Sequence, residues 1–101
     1  MITCFIQYTI DPSKTKEFEV YGEKWIKLVN QYDGKHLGYF LPHEGRNNIA
    51  YALFNFPSLA AYEEYRTQSM TDPECKEAYA YAEKTGCILS YDRTFLRPLV
   101  S

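Results

Sequence analysis

A chain of 101 residues has room for one domain but not for a second, so we assign residues 1–101 to a single domain. Its formal net charge of −2 argues against a nucleic-acid partner, because phosphate backbones attract a basic surface. No apolar run approaches the roughly 20 residues that span a bilayer, and the stretch MITCFIQYTIDP is too short and too alternating for a signal-peptide core.

These bounds predict a cytoplasmic protein with no membrane partner. The three cysteines, Cys4, Cys75 and Cys87, stand apart from one another, without the CxxC or Cys/His spacing of a zinc site. We interpret them as buried, reduced thiols. Ten tyrosines are many for this length, and tyrosine suits subunit interfaces and pocket walls, which are apolar on one side and wet on the other.

The first element is a predicted strand over residues 2–10, ITCFIQYTI. It is rich in β-branched and aromatic residues, and its side chains alternate between two faces. Neither face is strongly charged. We therefore expect a strand that is covered on both sides.

A predicted helix follows, and it begins at Asp11-Pro12. Aspartate caps free N–H groups, and proline loses nothing at the first helical position. Helical spacing places one apolar stripe along this segment: Phe18, Tyr21, Trp25, Leu28, Val29 and Tyr32. Trp25 could act as a ligand platform, but its place on the stripe favours core packing. The helix should end near Asp33-Gly34.

Two strands are predicted next, over residues 35–42 and 47–56, joined by the polar insert PHEGRNN. The insert contains His43 and Glu44, which could be taken for an acid–base pair. Neighbours in an extended segment point to opposite sides, however, and Pro42 and Gly45 are typical of a turn. We interpret the insert as a connection that supplies no essential catalytic group.

The remaining elements are a broken helix and a final strand. Ser58 is the predicted cap of the first helical part, and Asp72-Pro73 starts the second, which ends at Gly86. The last strand is predicted over residues 87–97. Its alternation places Leu89, Tyr91, Arg93, Phe95 and Arg97 on one face.

The order strand, helix, strand, strand, helix, strand predicts an α+β fold of the ferredoxin-like βαββαβ type. This fold has a four-stranded antiparallel sheet with helices on one face. The other face is expected to carry the large apolar side chains of Phe5, Phe40, Leu89 and Phe95, so water is a poor cover for it. We expect a homodimer in which two sheets pack face to face around a small lumen, forming a dimeric α/β barrel.

At this level of detail the chain resembles a known family. The pieces that carry the resemblance are GYFLP, the turn exit NNIA, FPSLAAYEEYR and DPEC, and the similarity extends over essentially the whole chain. They resemble the bacterial NIPSNAP-like proteins of the dimeric α/β-barrel superfamily. The resemblance implies the barrel architecture and a superfamily that includes cofactor-independent oxygenases, small-molecule isomerases, haem-degrading enzymes and stress-response barrels. It implies no catalytic residue set that can be transferred.

Candidate site residues come from the face expected to line the lumen. If His36 lies on the face of Gly38 and Phe40, it is the one near-neutral acid or base there. Tyr91 and Arg93 lie together on the last strand, where the arginine could pair with a carboxylate or phenolate of a ligand. The catalytic candidates are His36, Tyr91 and Arg93, and the ligand-binding candidates are Phe5, Gln7, His36, Phe40, Tyr91 and Arg93.

Plainer roles remain open for two of these residues. Arg93 could pair with a carboxylate at the subunit interface, and His36 could be a hydrogen-bonded structural histidine. The placement of Phe5 and Gln7 depends on strand register, which the sequence leaves undecided. The sequence contains no recognisable haem motif, phosphate loop, metal triad or activated nucleophile, so we expect no cofactor and no metal.

Two classes of function follow. In the first, the lumen binds or transforms a small hydrophobic or aromatic molecule, as a cofactor-independent oxygenase or isomerase would. In the second, the protein is a non-catalytic structural or interaction protein whose barrel is filled by its own side chains. Whether the protein is an enzyme stays open at this stage. A pocket of at least roughly 300 Å³ into which His36 or Arg93 opens would favour the first class.

Overall fold

The structure, a computed structural model, describes residues 1–99. These residues form four strands and three α-helices in the predicted order, and a short 3₁₀ turn at Pro12–Lys14 leads into the first helix. None of the helices in this part of the chain is long and apolar enough to cross a bilayer. The elements are β1 (Ile2–Ile10), α1 (Thr15–Gln31), β2 (Lys35–Phe40), β3 (Ile49–Phe56), α2 (Leu59–Ser69), α3 (Pro73–Thr85) and β4 (Ile88–Leu96).

The strands form one antiparallel sheet in the order β2-β3-β1-β4. The helices pack on one face, and the side chains that β1 and β3 direct toward them are buried. Aromatic rings make much of this contact: Tyr8 meets Phe18 of α1, and Phe56 meets Tyr65 of α2. The predicted ferredoxin-like architecture is confirmed for the single chain.

Helix ends follow the local chemistry of the sequence. The Ser58 side chain accepts a hydrogen bond from the backbone of α2, and Asp72 accepts two from the first turn of α3. Asp11 caps the 3₁₀ turn in the same way. Gly86 ends α3 with a φ of +66°, in the left-handed region that glycine tolerates.

A bulge in β2 decides which face His36 occupies. His36 pairs with Phe54, but Gly38 pairs with Leu53, so Leu37 is an extra residue in the ladder. Phe54 lies on the helix side of β3, and His36 therefore lies on that side as well. The prediction that His36 shares a face with Gly38 and Phe40 is wrong, because strict alternation does not survive a bulge.

The register of β4 overturns a second prediction. Tyr91 pairs with Tyr8, Arg93 with Ile6 and Phe95 with Cys4, all of them residues on the helix side of β1. The Phe95 ring packs against Tyr62 of α2, with centroids 4.9 Å apart. These β4 residues therefore do not face a lumen between two sheets. Leu89 is the extra residue of a second bulge, and Arg97 follows the end of the strand.

The open face of the sheet is apolar, as predicted, although its members differ from the expected set. Phe5 stacks on Tyr51 with ring centroids 5.5 Å apart, and Leu53 is the residue opposite Phe5. Phe40, 54% exposed, lies at the same face on β2. No helix of the described residues covers these side chains.

The bulge gives a test of how the fold holds His36. Gly38 has a φ of +134°, so Gly38→Ala should lower the free energy of unfolding by about 1–3 kcal/mol through backbone strain. It should also shift the fluorescence of Trp25, because the strain moves β2 against the helix side. Gly45→Ala is the matched control, since Gly45 has a φ of +95° in an open turn. Chemical denaturation followed by fluorescence would measure both. Equal destabilisation with unchanged native emission in the two variants would contradict this role of the bulge.

Candidate functional site

Two neighbouring spaces, which share lining residues, lie between the helices and the sheet. The first, the inner chamber, has a volume of about 40 Å³ and is lined mostly by buried side chains. The second, the outer groove, has a volume of about 240 Å³ and extends between α3 and β4. Five residues line both spaces: Tyr8, Tyr21, Arg66, Tyr79 and Arg93. The candidate site is therefore within one chain, on the helix side of the sheet.

Aromatic side chains form the walls of the inner chamber. They come from three strands and three helices: Tyr8 from β1, Tyr39 from β2, Phe54 from β3, Tyr21 and Trp25 from α1, Tyr62 and Tyr65 from α2, and Tyr79 from α3. Trp25 packs between Tyr21 and Tyr79, with ring centroids at 6.3 and 4.9 Å. The prediction that Trp25 packs in the core is confirmed, because it is only 5% exposed. It also borders the chamber.

Four buried tyrosines of the chamber are neutral hydrogen-bonding groups. Burial raises the pKa of Tyr8 to about 12. Burial likewise raises the pKa of Tyr21, Tyr39 and Tyr65 above the ordinary value. Since removing a phenol proton from such surroundings is unfavourable, these hydroxyls stay protonated at neutral pH.

His36 is also neutral, and its tautomer follows from one hydrogen bond. Its Nδ1 accepts the backbone N–H of Gly38 at 2.9 Å, and its ring stacks on Tyr39 with centroids 5.0 Å apart. Burial lowers the pKa of His36 to about 4. A neutral imidazole whose Nδ1 accepts must carry its proton on Nε2. That Nε2 is buried and has no hydrogen-bond partner. His36 is therefore an N–H donor at neutral pH and is poorly placed as a base.

Two arginines stand where the inner chamber meets the outer groove. Arg66 donates through Nη1 to the hydroxyl of Tyr62 at 3.2 Å. The Arg93 guanidinium lies 5.3 Å from the ring centre of Tyr91. In residues 1–99 the one ion pair joins two other residues, on α1 and α3, so neither guanidinium is paired with a carboxylate there. Pairing of Arg93 with a carboxylate of another subunit stays a prediction.

Cys4 lies beside Arg93 but is not an activated thiol. The nearby guanidinium favours the thiolate, yet burial outweighs it and raises the pKa of Cys4 to about 11. All three cysteines are buried and free, as predicted. Among residues 1–99, no three His, Cys, Asp or Glu side chains come close enough together to hold a metal ion.

The sheet divides the predicted site residues into two groups. His36 lines the inner chamber, Tyr91 the outer groove and Arg93 both. The other three candidates lie on the opposite face: Phe5, Gln7 and Phe40. The expectation that all six face one lumen is wrong, because two bulges and the register of β4 were not readable from residue alternation.

Arg66 was not among the candidates, although the sequence carried a signal for it. It follows Tyr62 by four residues and so lies on the apolar stripe of α2. An arginine on a stripe that packs against a sheet needs a polar environment there. Tyr8 and Tyr21 were also missed, because nothing in their spacing separates a pocket wall from a packed core.

The insert PHEGRNN is the connection between β2 and β3, as predicted. His43 and Glu44 are exposed, and the segment borders a shallow depression of about 540 Å³ on the open face, together with Gln7 and Tyr51. None of its residues lines the inner chamber or the outer groove. Its lack of an essential catalytic group remains a prediction.

Comparison with known proteins identifies a family. The family model described as NIPSNAP matches residues 3–101. No curated protein matches the chain.

Several solved structures share the fold. Protein Atu4242 of Agrobacterium tumefaciens is 20% identical, with a TM-score of 0.84 over 99% of this chain and 95% of that one. An uncharacterised NIPSNAP-like domain protein of Burkholderia xenovorans is 22% identical, with a TM-score of 0.79 over 98% of this chain and 85% of that one. A Bacteroides thetaiotaomicron protein, provisionally named an antibiotic biosynthesis monooxygenase, is 20% identical, with a TM-score of 0.67 over 98% and 90%. At such identities the likeness establishes the fold alone.

The neutral state of His36 predicts how stability depends on pH. Its pKa of about 4 in the folded protein is below the ordinary 6.5, so the unfolded chain binds the proton more readily. The free energy of unfolding should fall as the pH drops from about 6.5 to about 4. The capping carboxylates Asp11 and Asp72 also have lowered pKa values, but their contribution is lost only below the ordinary 3.8.

The variant His36→Asn isolates this effect. Its Oδ1 can still accept the Gly38 N–H, but it does not titrate. Urea denaturation at several pH values should therefore give a flatter profile for this variant between pH 6.5 and 4. Parallel profiles for the two proteins would show that His36 is not the source of the acid sensitivity.

Proposed function

The chain belongs to the NIPSNAP family, and from that premise we propose that it binds a small apolar or aromatic molecule between the helices and the sheet. The observation that carries the proposal is that the inner chamber and the outer groove are neighbours with five lining residues in common. Aromatic walls supply apolar contact, and Arg66 and Arg93, which pair with no carboxylate in residues 1–99, supply orientation. Pockets of this kind, mostly apolar with a few convergent polar groups, are the usual sites for small ligands.

The chemistry that we propose is of the cofactor-independent oxygenase or isomerase kind. In both, the substrate supplies the reactive electrons as an enolate or phenolate. An isomerase returns a proton to that anion at another carbon, whereas an oxygenase lets the anion react with dioxygen. The provisional name of the Bacteroides thetaiotaomicron protein supports the oxygenase direction.

The residues of this chain would act by holding the anion. The Nε2–H of His36 and the guanidinium of Arg93 are donors already in place, and such donors stabilise charge as it develops. Tyr91 would position Arg93 through its ring. His36, with its lowered pKa, and the buried Tyr8, with its raised pKa, are not ready bases at neutral pH, which favours substrates that ionise easily.

The second candidate is a non-catalytic structural or interaction protein. The observation in its favour is the small volume of the inner chamber, about 40 Å³, against the roughly 300 Å³ expected at the least for a drug-sized ligand. On this view the side chains themselves fill the interior. The outer groove, at about 240 Å³, is what favours a ligand.

We further propose that two copies pair through the open sheet face. Phe5, Tyr51, Leu53 and Phe40 form an apolar surface there, and each such side chain contributes roughly 1.5–3 kcal/mol when buried. The barrel so formed would have its own space between the sheets, separate from the chamber. We place the protein in the cytoplasm, where free thiols such as Cys4 stay reduced.

The ligand proposal predicts a retained or bindable molecule. Native mass spectrometry of the protein purified from its natural host should show a bound small molecule, and Arg93→Gln should lose it. Arg46→Gln is the matched control, since Arg46 lies in the exposed β2–β3 connection. If the purified protein retains no small molecule, and small aromatic compounds do not change the fluorescence of Trp25, the result would favour the non-catalytic protein whose side chains fill the interior.

The pairing proposal predicts that Phe5→Asp splits the dimer, because an unpaired charge would be forced into an apolar interface. Met70→Asp is the matched control, since Met70 is exposed at the end of α2. Phe95, on the helix side, is not a test of this interface. Sedimentation should give a dimer for the natural sequence and the control, and a monomer for Phe5→Asp. A stable monomer for the natural sequence would remove the proposed interface.

A further inference from the structure

The inner chamber contains a buried donor without an acceptor. Trp25 is 5% exposed, and its indole Nε1 has no hydrogen-bond partner. The nearest candidate acceptor is the Tyr21 hydroxyl, and the indole N–H acts to lower the pKa of Tyr21, although burial outweighs it and raises that pKa. The contact does not reach hydrogen-bond geometry, so the indole N–H is left without a full partner. Buried N–H groups in proteins are nearly always satisfied, so an orphan at a cavity wall points to something that the cavity receives.

A second orphaned donor lines the same chamber. The Nε2–H of His36 has no partner, because Nδ1 is used by the Gly38 N–H. Trp25 is on α1 and His36 is on β2, so the two donors come from opposite walls. Two side chains that line one small space, from different elements, thus carry buried N–H groups without acceptors.

The lining supplies positive charge but no carboxylate. Arg66 and Arg93 both border the chamber, and neither is paired with a carboxylate in residues 1–99. The remaining polar groups of the lining are tyrosine hydroxyls. These hydroxyls can accept hydrogen bonds, but neither orphaned N–H makes one with them. The two guanidinium groups, which pair with no carboxylate in residues 1–99, favour a negatively charged acceptor.

We propose that the inner chamber binds the oxygen-bearing head of a small organic monoanion, a carboxylate or an enolate. The inference rests on the proposed function and specifies its ligand. The head would accept from the indole of Trp25 and the imidazole of His36, with the two arginines beside it. The apolar body would lie in the outer groove.

The dimensions of the two spaces agree with this division. A space of about 40 Å³ exceeds the roughly 10–15 Å³ that one water needs, and it suits one compact head group. The outer groove, about 240 Å³, is large enough for the body. Glu83 is the one carboxylate that lines the groove, so a second negative charge on the body would be disfavoured.

The single tryptophan of the chain provides a direct test. A proton–nitrogen correlation spectrum of the ¹⁵N-labelled protein contains one indole N–H signal, that of Trp25. We would titrate it with acetate, benzoate and phenylacetate, each beside its uncharged amide. The carboxylates should move the indole signal downfield saturably, as an acceptor engages the proton. The amides should need at least about tenfold higher concentration.

Two arginine variants and a control complete the test. Arg93→Gln and Arg66→Gln should each weaken carboxylate binding at least about tenfold and leave amide binding nearly unchanged. Arg93 is exposed, so its variant should keep the fold even if that of Arg66 does not. Arg46→Gln removes the same charge from an exposed turn and should change nothing.

The outcomes separate this inference from the proposed function. Amides that move the indole signal as readily as carboxylates would overturn the anion site and leave a neutral-ligand pocket. Aromatic probes that perturb only the outer groove would do the same. An indole signal that no probe moves would overturn the inference and identify the chamber as filled by water or side chains.

Discussion

The pairing register of β1 with β3 and β4 is the constraint on which the rest of the structure depends. Because side chains alternate along a strand, register decides whether each residue meets the helices or the open face. Pairing of Ile6 with Arg93 and of Tyr8 with Tyr91 brings a charged and a phenolic side chain to the helix side. A shift by one residue would move both to the other face and remove the outer groove.

The register also explains why a space remains between the layers. Ala50 and Ala52 of β3 are completely buried small residues on the helix side, and the register places them opposite the large rings of Tyr8 and Tyr39. Rigid rings such as those of Trp25 and Tyr8 leave gaps when they pack over small residues, whereas flexible aliphatic side chains would fill the same space. Tyrosines dominate the wall because each places a ring against the core while keeping a hydroxyl available.

The buried polar groups of this interior lower the free energy of unfolding. Burying Trp25 Nε1 and His36 Nε2 without acceptors works against folding, by about 1–3 kcal/mol for a buried unsatisfied group. Groups that oppose stability and converge on one space are more readily explained by a ligand than by packing, which links the energetics to the proposed function.

The sequence by itself determined the elements, their order and their ends. Capping at Ser58 and Asp72, the stop at Gly86 and the turn between β2 and β3 depend on neighbouring residues alone, and the antiparallel sheet with helices on one face followed from that order. The sequence identified His36, Tyr91 and Arg93 as candidates by residue type, but it did not show which face of the sheet they occupy. The bulge at Leu37 and the pairing of β4 with β1 decided that, since both arise from contacts between segments distant in the chain. For the same reason, only the tertiary structure placed Arg66 and Trp25 beside them, because a helix stripe looks alike whether it meets a core or a cavity.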